Sequence, residues 1–105
     1  YNAVLRAFRR RLQEAYGSRL KSLYIFGSVA RGEEDAESDL DVAVVLKSLS
    51  DRWREKKKIT QIAYQVTFGE NRPLVLSSIV ISERELMTRQ EPLIDRIREE
   101  GRLAA

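Results

Sequence analysis

The chain of 105 residues contains neither cysteine nor histidine. The missing cysteines exclude disulfides and a thiol nucleophile, and the missing histidines exclude a histidine general base and a Ser-His-Asp triad. A zinc site would lack its usual nitrogen and sulfur ligands. Any chemistry must therefore use carboxylates, hydroxyls, lysine, arginine, backbone amides or a hard metal ion.

Long apolar runs are also missing. The longest run, Val42 to Leu46, is far too short to cross a bilayer, and no secretory signal pattern opens the chain. We therefore expect no membrane partner and a cytoplasmic location, with which the missing cysteines agree. The apolar share of 43% is typical of a globular protein, and the length predicts a single domain over residues 1–105.

The net charge of +3 is mildly basic, and the basic residues include two runs, at residues 9–11 and 56–58. We interpret each run as a solvated helix face. The alternative is an electrostatic footprint for nucleic acid. Neither run is interleaved with aromatic residues, so the sequence does not indicate a nucleic-acid partner.

Hydrophobic periodicity and capping residues predict alternating helices and strands. Gly17 should end the first helix, Ser50 should cap a long second one, and Ser82 with Glu85 should form a capping box. The order α-β-(α)-β-α-β-α-α predicts an α/β or α+β fold, with one sheet packed against helices. The predicted elements are helices at 2–16, 51–68, 83 onward and from Pro92 to near Gly101, strands at 20–26, 39–46 and 74–81, a turn at 27–32 opening a short helix, and an acidic loop at 33–38.

A phosphate-binding turn is predicted where the first strand ends. Gly27 allows the backbone to turn and a ligand to approach closely. Ser28 offers a hydroxyl at the point where a helix would begin. Free backbone N–H groups at such a position point at an anion, and the helix dipole assists them. Gly27 and Ser28 thus predict a cradle for phosphates.

A pair of carboxylates, Asp39 and Asp41, begins the second strand. Side chains two residues apart on a strand point to the same face, so these two acids repel one another unless a cation lies between them. Without histidine or cysteine, an oxygen-ligated ion such as Mg²⁺ fits best. A metal-bound phosphate site is the apparatus of phosphoryl or nucleotidyl transfer.

The run GSVARGEEDAESDLDVAVVL, residues 27–46, resembles the signature of small nucleotidyltransferases of the DNA polymerase β superfamily. That signature is Gly-Ser, about ten residues, then Asp-x-Asp, and the chain is similar in length and element order to the minimal members. The resemblance implies the polymerase β-like fold, with a small mixed sheet of three or more strands. It also implies transfer of a nucleoside monophosphate, AMP in the first place, from a nucleoside triphosphate such as ATP to a hydroxyl of a protein or a small molecule.

The resemblance further implies roles for individual residues and for partners. Asp39 and Asp41 would be metal ligands for Mg²⁺ or Mn²⁺, and Gly27 and Ser28 would hold the triphosphate. Arg31 would add a phosphate contact, although a solvated loop charge is the alternative. Minimal members are often encoded beside a HEPN-domain protein, as antitoxin and toxin, so such a partner is expected. Self-association into a homo-oligomer is left open.

The chain departs from the family pattern on the third strand, where the family uses a third carboxylate. The corresponding position is Ser77, while Glu70 and Glu83 lie outside that strand. One interpretation is loss, which would leave a binding module that neutralises its partner by contact. The other is that a water, a substrate group or a carboxylate of a partner chain takes the place of the acid.

Overall fold

The computed structural model describes residues 2–27, 30–32, 39–68 and 75–104. Four strands form one mixed sheet in the order β3-β2-β1-β4, with β1 antiparallel to β2 and β4, and β2 parallel to β3. This confirms the expected mixed α/β architecture. The elements are α1 (Asn2–Tyr16), β1 (Leu20–Phe26), β2 (Leu40–Leu46), α2 (Arg52–Thr67), β3 (Leu76–Ser82), α3 (Glu83–Thr88), α4 (Pro92–Glu100) and β4 (Arg102–Leu103).

The central strand β2 forms the core of the sheet. Val42 to Leu46 are all fully buried, as its valine-rich sequence predicts. Alternate side chains enter two different apolar clusters: Val42, Val44 and Leu46 on one face, and Ala43 and Val45 on the other. Every residue of β2 after Asp41 therefore packs in the apolar core.

The two faces of the sheet are covered by different helices. The longer helices α1 and α2 cover one face through buried side chains that include Phe8, Leu12 and Ile59. The shorter helix α4 covers the other through Ile94 and Ile97, with Leu86 of α3 at its margin. Because β2 alternates between these layers, the position of a residue along the strand decides which helices it faces.

Several predicted boundaries shift in the structure. The cap of α2 is Asp51 rather than Ser50, since its carboxylate accepts a hydrogen bond from the Arg54 N–H at 3.1 Å. Both residue types suit a cap, so composition did not decide between them. The helix ends at Thr67, because Phe68 already has an extended backbone. Strand β3 begins at Leu76 instead of Leu74, which lies outside the described residues.

The second half of the chain follows the predicted capping signals. The Ser82 hydroxyl accepts from the Glu85 N–H, and the Glu85 carboxylate accepts from the Ser82 N–H, both at 3.0 Å. Pro92 lies in the first turn of α4, as expected. Strand β4 was missed, because two residues carry no alternating pattern. It adds to β1 through the pairs Tyr24–Leu103 and Ile25–Arg102.

The interpretation of the basic runs as single solvated faces is wrong for the lysines. Successive helical residues are about 100° apart, so three in a row cannot share a face. Lys56 is half-buried near β3, Lys57 points to solvent, and Lys58 lies over the Tyr16 ring at 4.8 Å from its centroid. Within the described part of the chain, no helix is long and apolar enough to cross a membrane.

Candidate nucleotide site

Register places the candidate residues in one row across the end of the sheet. Asp41 pairs with Phe26 of β1 on one side and with Ser77 of β3 on the other. Directly paired residues share a face, here the face covered by α4. The last residue of β1, the second residue of β2 and the second residue of β3 thus meet beside the turn that starts at Gly27.

The Asp41 carboxylate lies close to the backbone of Gly27. Gly27 has φ +80°, in the left-handed region that favours glycine. A Cβ at this position would lie well under 3.0 Å from the Asp41 Oδ2 atom, and 3.3 Å from its Cγ. The carboxylate therefore occupies the space that any other side chain at position 27 would fill, so Asp41 faces the Gly27 turn.

The negative charges of Asp39 and Asp41 are not fully compensated by nearby positive charges. Asp39 is exposed just before β2, and Asp41 is half-buried at its start. Burial raises the pKa of Asp41, and the nearby charge of Asp39 raises it further. Arg96 and Arg31 act in the opposite direction without cancelling these effects. The ionised form of Asp41 is consequently less stable here than in water, which favours a compensating cation.

Arg31 is anchored beside this pair. Its N–H donates to the Gly27 carbonyl at 3.1 Å, and residues 30–32 form a turn. Its guanidinium forms an ion pair with Glu100 at 3.0 Å. Arg31 therefore lies near Asp41, exposed and paired with Glu100, and its role as a phosphate contact stays a prediction.

Two residues of α4 belong to these surroundings and were not predicted. Arg96 lowers the pKa of Asp41 through its charge, and Glu100 holds Arg31. The sequence indicates only that Arg96 and Glu100 lie on the polar side of α4, because Ile94 and Ile97 form its buried stripe. The part of the sheet that this polar side approaches is decided by tertiary packing.

Ser77, which the resemblance predicts at the position of the family's third carboxylate, pairs in register with Asp41 and is exposed. Glu83 cannot replace that acid, because five strand steps of about 3.3 Å separate Ser77 from Ser82, which precedes it. Glu83 instead pairs with Lys21 at 3.5 Å at the far end of the sheet. Glu70 lies outside the described residues.

The residues present are suited to a divalent cation at Asp39 and Asp41. Among residues 2–27, 30–32, 39–68 and 75–104, no group of three or more acidic side chains is placed to hold a metal ion. Two close carboxylates, one of them destabilised when ionised, are nonetheless a donor set that Mg²⁺ or Mn²⁺ prefers. Ser28, the predicted phosphate-binding hydroxyl, lies outside the described residues.

Comparison with known proteins agrees with the fold and the signature. The model of the nucleotidyltransferase domain family matches residues 5–103. The chain is 29% identical over 85 residues to a provisionally named protein adenylyltransferase, MJ0141, of Methanocaldococcus jannaschii, a match covering 81% of this chain and 82% of that protein.

Two solved structures share the fold. One is a toxin–antitoxin structure with AMP-PNP, at TM-score 0.59 and 19% identity, covering 93% of this chain and 70% of that one. The other is the spectinomycin adenyltransferase AAD(9) of Enterococcus faecialis with ATP and spectinomycin, at TM-score 0.66 and 17% identity. That match covers 95% of this chain and 47% of the other. At these identities the likeness shows the fold alone.

Proposed function

Because the chain belongs to the nucleotidyltransferase domain family, we propose that it moves AMP from ATP to a hydroxyl of an acceptor protein, in a reaction that needs Mg²⁺ or Mn²⁺. The observation that carries this proposal is the Asp41 carboxylate packed against Gly27, with Asp39 beside it. The acidic pair and the turn thus form one site.

The residues of this site divide the work of binding between them. Asp39 and Asp41 would hold the divalent ion, which neutralises triphosphate charge and polarises the phosphoryl oxygens when bound. Gly27 lets the Asp41 carboxylate, and with it the bound ion, come close to the backbone turn that would hold the phosphates, because it has no side chain to block the approach. Arg31, anchored by Glu100, would place a positive charge near the same phosphates.

In the transfer, the acceptor hydroxyl oxygen attacks the α-phosphorus of ATP. A new P–O bond forms, the bond to the β,γ-diphosphate breaks, and pyrophosphate leaves. The hydroxyl proton must pass to a base, and a well-placed base contributes about 10²- to 10⁴-fold. Ser77 is a poor base at neutral pH, so we expect slow transfer by the chain alone.

The acceptor and the nucleotide are proposed from the relatives. MJ0141 is named as a protein adenylyltransferase, and one structure with the same fold is a toxin–antitoxin structure that contains AMP-PNP. We therefore propose a protein acceptor, in particular a HEPN-domain toxin for which this chain is the antitoxin. Such a partner could also supply the carboxylate that Ser77 does not.

A second candidate function is supported by Ser77 itself. A site that keeps two acids but lacks the third would bind nucleotide and metal without efficient transfer. The chain would then be a degenerate module that neutralises a HEPN-type partner by forming a complex with it. ATP binding is common to both proposals, and only transfer distinguishes them.

The test combines calorimetry with a transfer assay using α-labelled ATP, Mg²⁺ and candidate acceptor proteins. We expect metal-dependent ATP binding that is lost in the Asp39→Asn, Asp41→Asn double variant. Ser77→Asp should accelerate transfer by about 10²-fold or more. Ser77→Asn is the matched control, since Ser78 is buried on the opposite face and a charge there would disturb the core.

The outcomes separate the proposals. Unchanged ATP affinity in the double variant would place the nucleotide elsewhere. ATP binding without transfer by both the wild type and Ser77→Asp would favour the degenerate module. Fast transfer by the wild type that Ser77→Asp slows would mean that another group is the base.

A further inference from the structure

Large aromatic side chains are exposed along the outer side of α2. Trp53 is 74% exposed, Tyr64 67% and Phe68, just beyond the helix, 77%. Folded proteins rarely leave several large apolar side chains together in water unless the surface contacts something else. We call the row formed by Trp53, Lys57, Thr60 and Tyr64, with Phe68 at its end, the α2 ridge.

The spacing of the α2 ridge is that of a helix-packing seam. Successive members from Trp53 to Tyr64 are four, three and four residues apart, which is the period of two helices packed side by side. With a rise of 1.5 Å per residue, the ridge from Trp53 to Phe68 is about 22 Å long. This length matches about four turns of a partner helix.

The charge around the ridge has one sign. Helix α2 carries five basic side chains and a single acidic one, Glu55. Arg54 and Lys57 are exposed beside Trp53, and a broad shallow depression between Trp53 and Tyr64 is lined by these residues and Gln61. A partner that covers the aromatic rings must therefore also bring negative charge.

The ridge is separate from the nucleotide site. Helix α2 packs on the sheet through Ile59, Ile62 and Ala63, on the face shared with α1. Asp41 belongs to the other face, with α4. A partner can therefore cover the outer side of α2 while the site at Gly27 stays open, and the inference does not depend on the proposed function.

We propose that the α2 ridge is a docking surface for an acidic amphipathic helix of a partner protein. Aspartates and glutamates flanking an apolar stripe on that helix would meet Arg54 and Lys57, and the stripe would cover Trp53 and Tyr64. The geometry favours a helix over single-stranded nucleic acid. The Tyr64 and Phe68 rings lie against each other at 6.1 Å, and Trp53 is about 16 Å away along the axis, so successive bases could not stack on them.

The experiment uses Trp53, the only tryptophan of the chain, as the reporter. The full chain is titrated with a 21-residue helical peptide that has leucines at the seam positions and glutamates beside them. A peptide of the same composition in scrambled order, a 21-nucleotide oligo-dT and phosphatidylserine vesicles are the competing probes. We expect a blue shift of Trp53 emission and protection from acrylamide with the first peptide only.

Matched variants test whether the ridge is the surface. Lys57→Glu and Tyr64→Ala should each weaken peptide binding at least tenfold. Arg10→Glu, the same charge change on the exposed side of α1, should change it less than twofold. Circular dichroism of each variant controls for folding.

Any of four results would overturn the proposal. These are equal binding of the scrambled peptide, tighter binding of oligo-dT or vesicles, equal effects of Lys57→Glu and Arg10→Glu, and no Trp53 response to any probe. Light scattering covers a further possibility, because a concentration-dependent dimer that Tyr64→Ala dissociates would show that a second copy of the chain occupies the ridge.

Discussion

The pKa values of two carboxylates at opposite ends of the sheet are shifted in opposite directions. Burial alone would raise the pKa of Glu85, but the Ser82 backbone N–H and the guanidinium groups of Arg52 and Arg89 lower it to about 2. Arg52 and Arg89 approach its Oε2 at 2.5 and 2.6 Å. At the other end, burial and the charge of Asp39 raise the pKa of Asp41 above its ordinary value.

The difference separates an acid used for structure from an acid suited to a ligand. Glu85 has its lone pairs satisfied by donors of the chain itself, so it ties the start of α3 to α2 and to the end of β3. Asp41 is packed against Gly27 with a second acid beside it, and the arginines nearby do not balance the pair. Acids whose ionised form is disfavoured by burial and by a neighbouring like charge are found at functional sites.

The largest expected effect comes from adding a methyl group where Asp41 meets the turn. Gly27→Ala forces a Cβ into the space of the carboxylate and places alanine at φ +80°. We expect loss of metal-dependent ATP binding by at least tenfold, and a fall of about 2–3 kcal/mol in the free energy of unfolding from strain and displacement together. Calorimetry and urea denaturation measure the two effects.

Gly17→Ala is the matched control for that change. Gly17 also has a positive φ, +56°, but a Cβ there would meet nothing within 4 Å. Gly17→Ala should lower the free energy of unfolding by about 1 kcal/mol through backbone strain alone, and it should leave ATP binding intact. Equal losses in the two variants would show that contact with Asp41 is not what requires glycine at position 27.

A smaller effect on the free energy of unfolding is expected at Glu85, whose carboxylate is hydrogen-bonded within the chain. The folded pKa of Glu85, about 2, lies below the ordinary value of 4.5, so its stabilisation is present above about pH 4.5 and is lost as pH falls through 2. Glu85→Gln should lower the free energy of unfolding at pH 7 by about 1–2 kcal/mol. Thermal unfolding from pH 7 to 2 should show the variant and the wild type converging in acid, whereas Glu99→Gln, an exposed change on α4, should match the wild type throughout.

The smallest expected effect has the opposite sign. The folded pKa of Asp41 is raised, so its neutral form stabilises the fold below the ordinary value of 3.8, and this contribution is lost as pH rises through the folded pKa. Asp41→Asn should therefore raise the melting temperature at pH 7, by about 1–3 °C. The gain should vanish at pH 3 and be absent in Asp51→Asn, which keeps a capping residue. EDTA in the buffer removes stabilisation of the wild type by cations.

Much of the fold could be predicted because local signals and burial agree. The apolar stripe of α1, the valine-rich strand β2, the capping box at Ser82 and the proline that opens α4 all lie where the sequence predicted them. Boundaries shifted where two residues were equally good caps, as at Ser50 and Asp51. Strand β4 has no local signal, because it exists only through pairing with β1.

In the candidate site, too, residues with a local sequence signal were predicted, and residues placed by tertiary packing were not. Gly27, Asp39 and Asp41 were found from their spacing, because glycine before a turn and acids at i and i+2 constrain local geometry directly. Arg96 and Glu100 were not found, because they reach the site from α4, more than fifty residues further along the chain. The aromatic residues beside Lys57 were missed for a related reason, since Trp53 and Tyr64 are eleven residues apart and share one side of the helix only through its rotation.

The sequence by itself determined the order of the elements, the burial of β2, the position of the turn at Gly27 and the pair of acids that follows it. These properties depend on backbone propensity and on periods of 2 and 3.6 residues, which act over a few neighbours. Only the tertiary structure decided that Ser77 stands in register with Asp41, that Glu83 lies at the far end of the sheet and that Glu100 holds Arg31. Strand pairing and helix docking bring distant parts of the chain together, and the free energy that selects them comes from the shared apolar core on both faces of the sheet.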